Sequence, residues 1–231
     1  MTHTLHRLGA RESLERDYVV LVMSAKGIND KASSEKLRKA LRLAMKFDPV
    51  NVGDMKTGSM YSKNMDMQKI LDGVKDSSIV HAVFSSFENA SKYLKALKAE
   101  NLGLSVVVSG LFDKVFDMAQ QNGLRPHTAS LSLGCFGRTD LLPEVLPVTT
   151  MCGHHQVPPR LVRKLASQVR NGLMSAEQAG KELSSLCVCG VFNPVRAAEY
   201  VELLAEGASV TIADDVGSFS GPSPRETSPK L

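Results

Sequence analysis

The sequence predicts an α/β fold: a mostly parallel sheet of about four strands with flanking helices, followed by a C-terminal segment of three helices. Short apolar runs rich in β-branched residues alternate with stretches of helical periodicity, which predicts the sheet. Strands that alternate with helices of about a dozen residues are typical of parallel sheets with right-handed crossovers. A purely helical pattern from residue 158 onward predicts the C-terminal segment.

The chain of 231 residues has room for one large domain and a smaller addition. We expect an α/β sheet domain over residues 1–150 and a helical metal-binding segment over residues 151–207. Residues 208–231 are rich in Gly, Ser, Pro and charge, a composition that buries too little apolar surface to fold. This last part is therefore predicted to be a flexible tail.

The first strand is predicted at residues 17 to 23, where a nearly continuous apolar run indicates burial on both faces. Residues 33 to 47 repeat apolar side chains at helical spacing, and Pro49 ends that pattern.

Residues 50 to 76 are polar and rich in Gly, Lys and Met, which predicts a long loop with one helical turn near residues 68 to 71. Loops of this length are often functional. Residues 53 to 59 could therefore form a lid that closes on a ligand through Lys56, and a solvated connection is the equally good alternative.

Three more strands are predicted at residues 78 to 84, 104 to 108 and 127 to 133. Between the first two, Ser85-Ser86-Phe87-Glu88 indicates a capping box that begins a helix. A helix after the third of the four predicted strands should end before Gly123, which suits a helix C-terminus. Strand and helix thus alternate through the first domain.

Three C-terminal helices are predicted at about residues 159 to 171, 175 to 186 and 193 to 206 from their periodicity and end signals. At 1.5 Å per residue, the first leads away for roughly 20 Å and the second returns for roughly 18 Å. The turn between them is short, so the two helices should be antiparallel. The residues that precede the first helix should therefore lie beside those that follow the second.

Cysteine and histidine residues occupy these two adjoining ends. Cys152 and His154 precede the first helix, and Cys187 and Cys189 follow the second. Three thiolates and one imidazole form the Cys₃His set that tetrahedral zinc uses. The sequence therefore predicts a zinc site, whereas the alternative interpretation is that these cysteines simply pack in the core.

Cys135 leaves the identity of the metal open. It follows the predicted fourth strand and could complete a four-cysteine set for an iron–sulfur cluster. In that case His154 and His155 would be available for acid–base chemistry or for contacts behind the ligands.

Small and basic residues follow the predicted strands: Lys26, Ser109, Gly110 and Arg138. In a parallel sheet, ligands bind beyond the carboxyl ends of the strands. We therefore expect these residues, with Lys56 of the lid, to bind a small anionic ligand. Their spacing matches no nucleotide-binding fingerprint, so ordinary connections between strands and helices explain it equally well.

The composition of the chain limits the kinds of partner that we expect. A net charge of +4, no Trp and 5% aromatic residues disfavour a nucleic-acid-binding specialist. No stretch has the roughly 18 apolar residues of a membrane span, and the N-terminal residues lack the apolar core of a secretion signal, so we expect a cytoplasmic protein without a membrane partner.

Two functions fit this pattern. The leading hypothesis is an enzyme, or an enzyme-accessory protein, in which the metal segment closes over the edge of the sheet and a small anionic ligand. The alternative is a metal-dependent sensor or assembly module without catalytic activity. In that protein the basic residues at 160, 163, 164 and 170 would contact an acidic partner or nucleic acid.

Overall fold

The structure is a computed structural model that describes residues 7–130 and 143–210. Its strands form a single sheet in the order β3-β2-β4-β1-β5, and each neighbouring pair is antiparallel. The strands are β1 (Tyr18–Met23), β2 (Asn51–Asp54), β3 (Gly58–Ser59), β4 (Ile79–Phe84) and β5 (Ser105–Ser109).

Most helices connect strands or follow the sheet. The nine in the described ranges are α1 (Arg11–Leu14), α2 (Ser33–Ala44), α3 (Met67–Gly73), α4 (Phe87–Glu100), α5 (Phe112–Gln121), α6 (Leu146–Thr149), α7 (Pro159–Arg170), α8 (Ala176–Ser185) and α9 (Pro194–Glu206). Short 3-10 turns lie at Met45–Phe47 and Pro143–Val145. In the described part of the chain, no helix has both the length and the apolar character needed to cross a bilayer.

The prediction of a mostly parallel sheet of about four strands is wrong, because all five strands are paired antiparallel. The β-α-β connections themselves are present: α2 joins β1 to β2, and α4 joins β4 to β5. Within each connection the two strands run in the same direction, but another strand lies between them, β4 in the first and β1 in the second. This is the split βαβ arrangement. The sequence pattern reveals the crossover but not the strand inserted into it.

The predicted long loop over residues 50 to 76 is also wrong, except that α3 includes the helical turn expected near residues 68 to 71. This segment contains β2, β3 and α3. β2 has no apolar run because only Val52 of its four residues is a large apolar one. Residues 127 to 130 of the predicted fourth strand are not a strand, and the rest of that segment lies outside the described residues.

The helix end signals are confirmed where they matter for the site. The Ser175 side chain accepts from the N–H of Gln178 and the Gln178 side chain accepts in return, which forms the capping box of α8. Asn193 caps α9 by accepting from the N–H of Arg196 at 3.1 Å. Gly172 and Gly207, just beyond α7 and α9, have the positive φ expected after a helix end.

The two faces of the sheet are covered by different helices. Side chains such as Val20, Val80 and Phe84 pack against α2 to α5 and form what we call the apolar layer. On the other face, Val19 and Val83 pack against α6 to α9. We call that side the cysteine layer, because the three described cysteines lie in it. Burial on both faces explains the continuous apolar run of β1 without a parallel sheet.

Candidate functional site

The antiparallel pair of α7 and α8 brings the two predicted ligand segments together. Cys152 is fully buried before α7, while Cys187 and Cys189 are buried just after α8. Residues 187 to 190 form a tight turn in which the Gly190 N–H donates to the Cys187 carbonyl at 2.9 Å. Gly190 has a φ of 71°, a conformation that a residue without a side chain adopts at no steric cost.

Four side chains meet at this turn. The Sγ atoms of Cys187 and Cys189 are 3.6 Å apart, and Cys187 is also hydrogen-bonded to Cys152. The His154 side chain is exposed and makes a hydrogen bond with Cys189. We call these four residues the cysteine cluster. The predicted convergence of Cys152, His154, Cys187 and Cys189 is thus present in the structure.

Shared protons set the charge of the cluster. Hydrogen bonding from Cys187 lowers the pKa of Cys152 to about 6 and, with a further hydrogen bond to His154, that of Cys189 to about 6. The pKa of Cys187 is raised because its proton is held by both neighbouring sulfurs. The two flanking cysteines are therefore the more acidic groups of the cluster, and the central Cys187 is the one that retains its proton most strongly. Thiolates are the form in which cysteine binds metals and reacts.

A buried asparagine joins the sheet to the turn at residues 187 to 190, which we call the cysteine turn. The Asn51 Nδ2 atom donates to the carbonyls of Gly190 at 2.7 Å and Phe192 at 3.1 Å, and lies 3.3 Å from the hydroxyl of Ser184 on α8. Asn51 is fully buried in β2. The turn that carries Cys187 and Cys189 is therefore held in place by hydrogen bonds from a side chain of β2.

The N-terminal segment also holds the backbone beside the cysteine cluster in place. The Arg7 guanidinium donates to the carbonyls of Met151 and Val191, which lie next to the two halves of the cysteine cluster. Arg7 and Arg196 both form ion pairs with buried Asp17. Burial alone would raise the pKa of Asp17, but the two arginines outweigh it and hold that pKa below its usual value. Asp17 is thus a buried carboxylate that fixes both guanidinium groups.

His81 is a buried imidazole on the same face of the sheet. It lies opposite Gly53 in the β2–β4 pairing, and its exposed fraction is 1%. Among the described residues, neither ring nitrogen has a hydrogen-bond partner. Burial lowers the pKa of His81 to about 3, so the ring is neutral. The Asn51 Oδ1 atom is likewise buried without a described partner.

The sequence interpretation missed Asn51, His81 and Arg7. A period-two pattern could have indicated the first two, because Asn51 and Gly53 share one face of β2 and His81 faces the same side from β4. Arg7 carries no comparable local signal. The two carbonyls beside the cysteine cluster that accept from Arg7 belong to residues about 140 and 180 positions away.

The predicted anion-binding residues are not brought to one edge. Lys26 and Lys56 are exposed at the end of the sheet where β1 finishes, and Lys56 Nζ is 3.3 Å from the Ser77 hydroxyl. Ser109 and Gly110 lie at the opposite end, since Ser109 pairs with Val19 at the start of β1. Antiparallel strands finish at alternate ends, so they share no carboxyl edge. Arg138 and Cys135 lie outside the described residues.

The cluster is not a preformed set of metal ligands. Within residues 7–130 and 143–210, no group of three or more His, Cys, Asp or Glu side chains is arranged so that it could hold a metal ion as it stands. The four side chains are instead arranged as hydrogen-bonded thiols and an imidazole. The chain was compared with models of protein families, with curated proteins and with solved structures, and none of the three comparisons found a match.

Proposed function

We propose that the protein binds one zinc ion through Cys152, His154, Cys187 and Cys189, and that the metal fastens the ends of α7 and α8 to each other. The spacing of the Cys187 and Cys189 sulfurs, 3.6 Å, carries this proposal. Two thiolates bound tetrahedrally to zinc, each at about 2.3 Å, have their sulfurs about 3.8 Å apart. The turn needs only a small adjustment to reach that separation.

Metal binding would require two changes in the cluster. The central thiol must lose its proton, and the imidazole, which already contacts Cys189, must present an unprotonated ring nitrogen to the metal. His154 is exposed, so its ring can turn without disturbing the core. The two flanking cysteines already have lowered pKa values. Because the ligands must be deprotonated, zinc affinity should rise with pH.

Zinc is preferred to an iron–sulfur cluster because an imidazole belongs to the set of contacting groups and a Cys₃His set is common for zinc. An iron–sulfur cluster would call for Cys135 as a further ligand. The Cys135→Ser variant separates the two: it should leave zinc binding intact, whereas an iron–sulfur protein would lose its visible absorption.

Elemental analysis of anaerobically purified protein tests the proposal. About one zinc per chain is expected, with severe loss in Cys187→Ser and Cys189→Ser, because a hydroxyl is a poor zinc ligand. Cys135→Ser is the matched control, since it changes the same residue type outside the proposed set. A wild-type protein without metal, or full occupancy in either variant, would contradict the proposal.

For the role of this metal, we favour an interaction module over an enzyme. Four protein ligands close a tetrahedral site, which is typical of structural zinc. The metal would fix the start of α7, on which Arg160 and Lys164 are exposed and Arg163 lies 3.5 Å from Glu144. This basic face suits an acidic partner.

A charge reversal tests the module. Binding to polyglutamate, measured against salt concentration, should weaken in an Arg160→Glu, Lys164→Glu double variant because the attraction is electrostatic. A Lys36→Glu, Lys46→Glu double variant, which reverses the same number of exposed charges on and next to α2, is the control. Equal losses in the double variant and the control would indicate net charge alone and contradict a specific face.

A further inference from the structure

The cysteine turn holds two thiols in direct contact. The Sγ atoms of Cys187 and Cys189 are 3.6 Å apart and share a hydrogen bond. A disulfide has a sulfur–sulfur length of about 2.05 Å, so the two atoms need to approach by only about 1.5 Å. Both cysteines belong to one turn, so rotation of their side chains can close this gap without moving α7 or α8.

This pair of thiols lies directly beneath the molecular surface. Val188, the residue between them, is 55% exposed, and its N–H donates to the side chain of exposed Gln156 at 3.3 Å. Exposed His154 is hydrogen-bonded to Cys189. Cys189 keeps an exposed fraction of 3%, whereas Cys187 is fully buried. An oxidant of nearly the size of water should therefore reach Cys189 first, past side chains that solvent already surrounds.

A third thiol competes for the central one. Cys187 is also hydrogen-bonded to Cys152, which lies before α7 on the other side of the helical pair. A disulfide between these two would join separate segments of the chain, and both segments would have to adjust to close it. The disulfide within the turn requires no such movement. The structure therefore favours Cys187 with Cys189 and leaves Cys152 as a thiol.

We propose that Cys187 and Cys189 form a reversible oxidation site, at which hydrogen peroxide converts the two thiols to a disulfide. The Cys189 sulfur attacks one peroxide oxygen, the O–O bond breaks, and a sulfenic acid forms as one water leaves. The Cys187 sulfur then displaces the hydroxyl group from that sulfur, which forms the S–S bond and releases a second water. Both thiol hydrogens and the whole peroxide thus leave as two waters, and each sulfur gives up one electron.

The disulfide has two consequences. A ring that encloses a single residue is strained, and strained disulfides are the more readily reduced ones, so a small thiol should restore the cysteines. The bond also removes two of the four ligands proposed for zinc, because thiolates bind the metal. Oxidation should therefore release zinc. The disulfide itself requires no metal, and only this second consequence rests on the proposed function.

A tryptic digest identifies the bond. Residues 182–196 form one tryptic peptide that contains both Cys187 and Cys189, whereas Cys152 lies in the peptide of residues 139–160. Reduced full-length protein, with and without prior chelation, is treated with hydrogen peroxide, alkylated and digested. Peptide 182–196 should lose two hydrogens, resist alkylation and regain both properties after dithiothreitol. A cross-link between the two peptides, or full alkylation of peptide 182–196, would overturn the inference.

Cysteine variants provide the matched control. Cys152→Ser keeps both cysteines of the turn and should form the same disulfide as wild type, because Cys152 takes no part in the reaction. Cys189→Ser should form no bond within peptide 182–196. If Cys152→Ser fails to form the disulfide while its far-ultraviolet circular dichroism matches wild type, Cys152 is required for the reaction and the assignment is wrong.

Zinc release separates this inference from the proposed function. In zinc-loaded wild type, a chromophoric chelator should detect about one zinc per chain as the disulfide forms. A chain that forms the disulfide but binds no zinc would contradict the proposed function and leave the oxidation site intact. A zinc-binding chain whose peptide 182–196 stays reduced, before and after chelation, would overturn the oxidation site alone.

Discussion

The two faces of the sheet are packed by different chemistry. In the apolar layer, the described buried contacts are almost all between aliphatic and aromatic side chains, and a buried polar exception, the Tyr93 hydroxyl, donates to the Ala40 carbonyl at 3.1 Å. In the cysteine layer, apolar side chains surround Asn51, His81, Arg196 and Asp17, all of them buried. One face of the sheet is thus packed mainly by apolar side chains, whereas the other also carries a network of buried hydrogen bonds and ion pairs.

This difference separates stability from positioning. Apolar burial is non-directional, so the apolar layer can hold the fold together without fixing any one atom. Hydrogen bonds and ion pairs have defined geometry, and in the cysteine layer they end on the backbone beside the cysteines, at Met151, Gly190, Val191 and Phe192. Substitutions on the two sides should therefore have different consequences.

The largest loss is expected when the buried ion pair is broken. In Asp17→Asn, Arg7 and Arg196 keep their charges but lose the carboxylate, which should lower the free energy of unfolding by about 3–5 kcal/mol. Denaturant titration measures it, with Glu12→Gln at an exposed position as the control. A loss below about 1 kcal/mol would mean that solvent screens the ion pairs of Asp17 as it screens surface pairs. The cysteine layer would then not depend on buried charges in the way described above.

The same carboxylate predicts an acid limb. The pKa of Asp17 is lower in the folded protein than the roughly 3.9 of an unfolded chain. Its contribution is therefore present above pH of about 4 and is lost as pH falls through the folded pKa. Unfolding free energies measured from pH 6 down to pH 2 should decline less steeply in Asp17→Asn than in wild type. Parallel curves would show that another group causes the acid limb.

A cavity in the apolar layer should come next. Leu37 on α2 is fully buried, and Leu37→Ala should cost about 2–5 kcal/mol, whereas the volume-conserving Leu37→Met should cost less than about 1.5 kcal/mol. Amide exchange of the cysteine turn, followed under conditions where the variant stays folded, should not change. Faster local exchange at residues 186 to 192 would indicate that the two layers are coupled.

A smaller, local effect is expected at Asn51. Asn51→Leu leaves the carbonyls of Gly190 and Phe192 without their donor, which should cost about 1–3 kcal/mol. Its characteristic result is faster amide exchange confined to residues 186 to 192. Val52→Ala, the next residue but on the opposite face, should lose stability without that local change. If both variants loosen the turn equally, the asparagine is ordinary packing.

The smallest effect is expected at Lys56. Its side chain is exposed and its described contact is with the Ser77 hydroxyl, so Lys56→Ala should alter the unfolding free energy by less than about 0.5 kcal/mol. Calorimetric titration with phosphate checks the original lid hypothesis: a large loss of phosphate affinity in this variant would revive it, and equal affinity would remove it.

Local signals in the sequence were enough for much of the fold. The helices around the site carry their own end signals, such as Ser175 for α8, Asn193 for α9 and Gly207 beyond α9, and these act within a few residues. Strand direction has no local signal of this kind. A strand buried on both faces has the same apolar run whether its neighbour is parallel or antiparallel, which is why the sheet was predicted incorrectly.

The residues of the candidate site also fall into those that local sequence signals could place and those that they could not. Cys152, His154, Cys187 and Cys189 could be brought together on paper because two helices of known rise and one short turn connect them. His81 and Asn51 could not, since their contacts with the turn link positions more than 100 residues apart. β2 also lacks the apolar run that would have marked it as a strand, because Asn51 and Gly53 occupy the face that contacts the turn.

Gly190 places a limit on how this protein can diverge. A side chain there meets Ser59 and His81, and it must also adopt a left-handed φ of 71°. Smaller residues at positions 59 and 81 would relieve the steric conflict but not the backbone one, so no single compensating change makes the position permissive. Three segments that are distant along the chain are thereby constrained to vary together. In a saturation mutagenesis library, position 190 should tolerate almost nothing, and its few survivors should be Asn or Asp accompanied by second-site changes at 59 or 81.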